Sequence, residues 1–407
     1  MHRAVRGVRR NYQAYTQLAA ARYPDATRRF QPIADSFAKP KIWATTATLA
    51  VITLVAVNVA TQTQQTPRSS AAVPTQANLW VEPGAGNCTR SGNAVSYSGS
   101  ASPDARCGSL NNAWQAAAAG DVIVVRSGSY GNQAFTTRAQ AMTSPGVTFH
   151  IEDRTAFGSI NFGDEGTWGA NNYRAEHISL VGNKGQWTSS TLKFANTKYI
   201  TVDGVTIHNN WEKRKAAFWA GHTTNTTLRN VDFGYVTDEK IMESIANDST
   251  EATAEAANES FANANITIED SKIHDMRRTS ELVHNECALM PGVPGFTLRR
   301  THWYGCTVMN FNFGAFGHMS EIDQTNFHFV NNIFESPTNV TESDKTYYPW
   351  FQGCNQPDRS RKTGWVIEYN IMESGWYQAS GCGDAGAIIR YNVGSRGSAC
   401  PINATVT

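Results

Sequence analysis

Charge is scarce in this chain: 17% of its 407 residues are Asp, Glu, Lys or Arg, and the formal net charge is +1. No basic face or tail marks the bulk of it, which argues against nucleic acid as a partner. No cysteine precedes Cys88, and no CxxC pair or Cys/His spacing of the zinc type is present. The signatures GxSxG and HExxH and the phosphate-binding loop are missing too. Apolar periodicity of 3.6 residues and a fixed repeat length are both lacking, which excludes a helical-repeat solenoid. What is there is apolar content of 41%, 32 glycines and much asparagine, the composition of a turn-rich all-β protein.

One long apolar run exists. Ile42–Ala60 carries no charge and is long enough, at nineteen residues of about 20 needed, to cross a bilayer as one helix. Residues 1–41 hold nine Lys/Arg (Arg3, Arg6, Arg9, Arg10, Arg22, Arg28, Arg29, Lys39, Lys41) against Asp25 and Asp35. That bias predicts a basic cytoplasmic tail over 1–41, a transmembrane signal-anchor over 42–60 and the remainder outside the membrane. A cleaved signal peptide is the competing reading, disfavoured by the long basic flank and the lack of a clean cleavage site. Residues 61–77, rich in Thr, Gln, Ser and Pro, read as a flexible linker. The folded domain is expected over 78–407.

The stretch Asn196–Asn210, NTKYITVDGVTIHNN, is the unit that the domain repeats. It predicts two short strands, Ile200–Val202 and Val205–Ile207, joined at Asp203–Gly204, with Asn at the corners because Asn tolerates a left-handed backbone. Counterparts of Val202 follow at Leu228, Ile268, Leu298, Phe329, Ile367 and Ile389, and Val124, Phe149 and Leu180 lie in similar runs upstream. The residue five beyond is apolar in the first five: Ile207, Phe233, Ile273, Trp303 and Phe334. Constant short strands with spacings of 22 to 40 residues suit stacked coils whose loops vary. A β-sandwich is the alternative.

Leu79–Val81 reads as a strand, Leu110–Ala119 as a short helix and Val122–Val125 as a buried strand running into Arg126–Tyr130. This opening, GDVIVVRSGSY at 120–130 with Cys88 and Cys107, resembles the start of secreted right-handed parallel β-helix proteins of the pectin-lyase-like class. With the repeats, the resemblance spans about residues 78–395. It implies an all-β, right-handed single-stranded parallel β-helix of about ten coils with an N-terminal cap helix, preceded by one transmembrane helix. The fold hosts lyases, hydrolases and inert surface proteins, so it implies no single activity. The hydrolase motifs NTD, a DD pair, GHG and RIK are not matched, and neither are those of calcium pectate lyases. No calcium or other metal site is recognisable, and no cofactor is assigned.

Sequence proximity pairs Cys88 with Cys107 and Cys287 with Cys306, then Cys382 with Cys400, leaving Cys354 odd. The densest polar stretch is His274–Arg300. Taking 282–290 as one strand puts His284 and Glu286 on the same face with Cys287 inward. His284, Glu286, Asp275 and Arg299 are therefore the candidate catalytic residues, and Arg277, Arg278 and Arg300 candidate holders of an anionic sugar. His284 would remove a proton in β-elimination, and Glu286 with Asp275 would serve a hydrolase. HNEC with Cys306 downstream also resembles a stretch of secreted β-helix proteins of unassigned activity. Two insertions are expected. Residues 238–261 are acidic, and a surface flap or a lid is open. Residues 335–364 carry Tyr347, Tyr348 and Trp350, which either stack on sugar rings or seal the solenoid. The function expected is binding, and on the catalytic reading cleavage, of an anionic polysaccharide or cell-envelope glycan, with lyase chemistry favoured over hydrolysis. A non-catalytic surface or adhesion solenoid is the alternative.

Overall fold

Each coil of the domain is built from three short strands, as in Thr197–Asp203, Val205–Glu212 and Ala217–Trp219. A computed structural model describes residues 72–90, 92–97, 105–163, 175–244, 263–280, 286–290, 293–307, 309–314, 325–335, 350–352, 364–373, 377–378, 388–390, 392 and 405–406. Their strands fall into one 13-stranded and two 9-stranded sheets, here the first, second and third in chain order around a coil. Every pairing within the three is parallel; among the described residues the antiparallel pair is Gln76–Ala77 with Val95–Ser96. Continuous parallel ladders overrule the sandwich, whose sheets are antiparallel, and place the chain among parallel β-helices.

Like meets like along the axis. Phe149, Leu180, Val202, Leu228, Ile268, Leu298, Phe329 and Ile367 follow one another in register on the first sheet and are all buried. Ile389 continues the pairing. Ile207, Phe233, Ile273, Trp303 and Phe334 form the same kind of column on the second. Val124 is the exception. Ile123, not Val124, pairs with Phe149, and Val124 turns to the outside, covered by Ala77 and Trp80. A four-residue apolar run gives no alternation from which to read its face.

The third sheet was not read from the sequence. Its inner column begins Phe135, Phe162, Phe194 and Trp219, rings stacked with centroids 5.1, 5.1 and 5.2 Å apart. Its strands are mostly three residues long, too short to show a period. Two stretches placed in insertions belong to it: Met242–Ser244 and Trp350–Gln352. Trp350 is thus on a strand and not on a free loop. The repeat strands are also longer than expected, because pairing on both sides recruits flanking polar residues.

The cap helix is Leu110–Ala116, ending three residues earlier than expected. Ser109 caps it by accepting a hydrogen bond from the Asn112 amide, and Leu110, Ala113 and Trp114 are buried on the core. Among the corners, Asn196, Asn230, Asn265 and Asn331 have positive φ. Others have a second role: the Asn332 side-chain amide donates to Asn370 Oδ1, and that of Asn370 to Asn392 Oδ1, each at 2.9 Å. Asn332 and Asn370 are fully buried, so the ladder satisfies polar groups that would otherwise cost roughly 1–3 kcal/mol each.

Both proximity-based disulfides with described partners are present. Cys88–Cys107 and Cys287–Cys306 have Cα separations of 4.8 and 5.7 Å. Cys354, Cys382 and Cys400 lie outside the described residues, as do the tail, the signal-anchor and most of the linker. Among the described residues no helix is long and apolar enough to cross a membrane.

Candidate functional site

Strand alternation turns one residue in two outward, so each sheet presents its own outer face. On the first sheet Thr148, Ser179, Thr201, Thr227, Thr267 and Thr297 share one register. Two residues on, Asp203, Arg229, Glu269 and Arg299 alternate in sign. Arg229 Nη2 lies 2.6 Å from Asp203 Oδ2, and Arg299 Nη2 2.6 Å from Glu269 Oε2. Arg300 bridges Asp270 at 2.6 Å and Glu269 at 3.0 Å. Arg299 and Arg300 therefore already hold carboxylates of the preceding coil, with which a sugar acid would have to compete for them.

On the third sheet Glu243 takes Lys215 at 2.9 Å and Lys240 at 2.8 Å. Burial works to raise the Glu243 carboxyl, but the hydrogen bonds and charges of the two lysines outweigh it and hold it below the usual carboxylate range. Glu286 lies on the same sheet, yet all four residues of its strand Glu286–Leu289 are buried. The side-chain amide of Asn312 donates to it at 3.3 Å. Glu286 does not face solvent as expected: its strand, which carries the Cys287–Cys306 bridge, is covered on both faces. His284, expected beside it, lies outside the described residues, as do Tyr347 and Tyr348. Asp275 is on the second sheet, Arg299 on the first and Glu286 on the third. The three described members of the expected catalytic set thus stand on three different sheets.

The second sheet gathers a different group. His208, Gly234, His274 and Tyr304 occupy one outer column, each following an inward apolar residue. Asp232, Lys272 and His302 form the next column. His208 Nε2 and His274 Nε2 converge on the same atom, Asp232 Oδ1, at 3.1 and 2.7 Å. The other ring nitrogen of His274, Nδ1, lies 2.7 Å from Asp275 Oδ2. Asp275 has a left-handed backbone, φ 52°, like Tyr235 one coil earlier, φ 59°.

Gly234 makes the convergence geometrically open. A Cβ there would lie 2.7 Å from the His274 ring, so only glycine lets imidazoles two coils apart face one another. Their centroids are 5.4 Å apart, nearly perpendicular. Tyr304 stacks on His274 at 4.8 Å. Burial, with the charges of Asp232 and Asp275, pushes the Tyr304 phenol up to about 12. Burial would also raise the Asp232 carboxyl, but the two histidine contacts prevail and hold it well below the usual range.

Aromatic rings extend this group into a band. His302 packs on Tyr304 at 4.8 Å, Tyr235 on both histidines at 4.8 and 5.3 Å, and Trp211 on Tyr235 at 5.3 Å. Arg277 lies over the Trp211 ring, 4.6 Å from its centroid, and its Nε donates to Thr237 Oγ1 at 2.8 Å. Arg277 is exposed, as is Lys272; Arg278 is half-buried on the segment after the strand. Of the expected residues, Asp275 and Arg277 belong to this face. His208, Asp232, Tyr235 and His274 were missed. The signal was present in the repeat itself: the position after Ile207, Phe233, Ile273 and Trp303 reads His, Gly, His, Tyr.

The sequence matches no family model and no curated protein. Two solved structures resemble the chain's path. One is the surface adhesin PfbA of Streptococcus pneumoniae, at 11% identity over 68% of this chain and 82% of that one, with a TM-score of 0.31. The other is an alginate lyase from Paenibacillus sp. str. FPU-7, at 11% identity over 68% of this chain and 97% of that one, with a TM-score of 0.32. The parallel β-helix architecture stands on the strand pairing of this chain itself.

Proposed function

We propose that the β-helix domain is an extracytoplasmic glycan-binding module that takes an anionic polysaccharide along the outer face of its second sheet. The observation that carries the reading is the band His302, Tyr304, Tyr235 and Trp211, packed around the buried His274 and flanked by exposed Lys272 and Arg277. Aromatic faces stack on the C–H surfaces of sugar rings, and Lys or Arg beside them match carboxylates. A row of coils repeats such contacts along an extended polymer. Among the described residues the first face offers a smaller set, exposed Tyr199 stacked on His177 beside Lys198, and its charges from Asp203 to Arg299 neutralise one another coil by coil. The two disulfides agree with an oxidising compartment, and the basic flank before the apolar run favours a membrane-anchored, outward-facing domain.

Asp275 and Glu286, the pair a hydrolase would use, lie on different sheets, so the reading rests on binding. The test is retention of the full chain on immobilised acidic and neutral polysaccharides at low salt, with ultraviolet absorbance of unsaturated uronates read in the same samples. Retention on an acidic polymer, weakened in Trp211→Ala and Arg277→Ala, is expected. Retention on none, or retention indifferent to both changes, overturns the proposal. Growth of the absorbance would show elimination and restore the lyase reading.

A further inference from the structure

A second property of the same face does not depend on glycan binding. We propose that His208, Asp232 and His274 form a binding site for one divalent transition-metal ion of the zinc class.

The ligand atoms His208 Nε2, Asp232 Oδ1 and His274 Nε2 all lie within 4.8 Å of one another. The two contacts to Asp232 Oδ1 are 3.1 and 2.7 Å. Bonds of about 2.0–2.2 Å from a common tetrahedral centre place ligand atoms roughly 3.3–3.6 Å apart, so an ion would open the two Asp232 contacts by less than about 1 Å and draw the two histidines onto one centre. Two imidazole nitrogens and one carboxylate oxygen suit zinc and its neighbours; calcium takes 6–8 oxygen ligands.

Three further observations point the same way. The Asp275 carboxylate accepts from Nδ1–H of His274 at 2.7 Å, the outer partner that a metal-bound histidine characteristically has, fixing which nitrogen faces the ion. Gly234 lies between the histidines in their column, where a Cβ would run into the His274 ring. Glycine keeps open the space that the converging groups share. Finally, the site is open on one side: the His208 side chain is 36% exposed and that of His274 is 4% exposed. Three protein ligands with one accessible edge leave a position for water or a ligand atom.

The untagged full chain, stripped with a chelator and dialysed, is titrated calorimetrically with Zn²⁺ and, separately, Ca²⁺. One Zn²⁺ per chain is expected, with Ca²⁺ far weaker. Asp232→Ala and His208→Ala should abolish measurable Zn²⁺ binding. Asp275→Asn, which keeps all three ligands, should weaken it roughly 10–100-fold. His177→Ala, a histidine stacked on Tyr199 away from the site, should leave it unchanged. Thermal melts without metal identify any ligand variant that fails to fold, in which case Asp275→Asn carries the test. No stoichiometric Zn²⁺ binding, binding undiminished in Asp232→Ala and Asp275→Asn, or equal preference for Ca²⁺ overturns the proposal.

Discussion

On the first sheet's outer face, Thr148 to Thr297 stack hydroxyl on hydroxyl, and Asp203, Arg229, Glu269 and Arg299 stack charge on opposite charge. On the second, one column reads His208, Gly234, His274 and Tyr304, changing residue type at every step. A parallel coil brings equivalent positions to roughly 4.8 Å spacing. Identical or complementary residues then satisfy each other along the axis, and the face needs nothing from outside. Where the column changes residue type at each step and includes a glycine, groups converge instead of stacking. The contrast teaches where to look on a solenoid: at the column that breaks the repeat.

The largest effect should come from the core beneath both faces. Leu298→Ala is expected to cost roughly 2–5 kcal/mol in urea melts, because a stack held from both sides collapses poorly around a cavity. Thr297→Ala on the first face should cost within about 0.5 kcal/mol. Equal costs would mean that the register, and with it the definition of both faces, is wrong.

Next comes the third face as a reference for buried charge. The folded Glu243 carboxyl lies below its unfolded value, so the stability it contributes is complete above the unfolded carboxylate range. It is lost as pH falls through the folded value. Glu243→Gln should therefore cost about 3 kcal/mol at neutral pH, with the gap to wild type narrowing below about pH 4. A gap that is constant with pH would show that the lysine pairs are not its source.

A direct break of the comparison is Gly234→Ala, which drives a methyl group to 2.7 Å from His274. About 1–3 kcal/mol of destabilisation is expected, against near-neutrality for Thr227→Ala in the adjacent sheet of the same coil. If both are silent in urea melts, the second face is as tolerant as the first and its convergence is incidental.

The smallest effect is reserved for Arg299→Ala. Its side chain is 46% exposed, and Arg300 still pairs Glu269, so a loss within about 0.5 kcal/mol is expected. Salt should change even that little. A larger loss, or loss of polysaccharide retention with it, would return the first face to consideration as a binding surface.

The apolar positions of the repeat were legible because one inward residue per strand must be apolar in every coil, and repetition multiplies a weak signal. Val202 to Ile389, the five second-sheet residues from Ile207 to Phe334 and two disulfides followed from that and from proximity, and the cap helix from the resemblance of the segment before Val122. Val124 was not, since an all-apolar run hides its face, and neither was the third sheet, whose three-residue strands carry no period. The site was legible in part: Asp275 and Arg277 stand in the polar stretch 274–300, but the other partners of His274 come from residues 208 and 232, two coils and one coil back.

By itself the sequence determined the spacing of inward residues, the corner asparagines and hence the stacking of coils, because these are local demands of short strands and tight turns. Only the tertiary structure decided which outward residues meet. Loops of unequal length set which residues share a column, and a separation of 26, 40 or 30 residues in the chain becomes one step along the axis. That is how Asp232 comes to lie between two histidines, and how Arg299, expected to act, is instead held by the carboxylate below it.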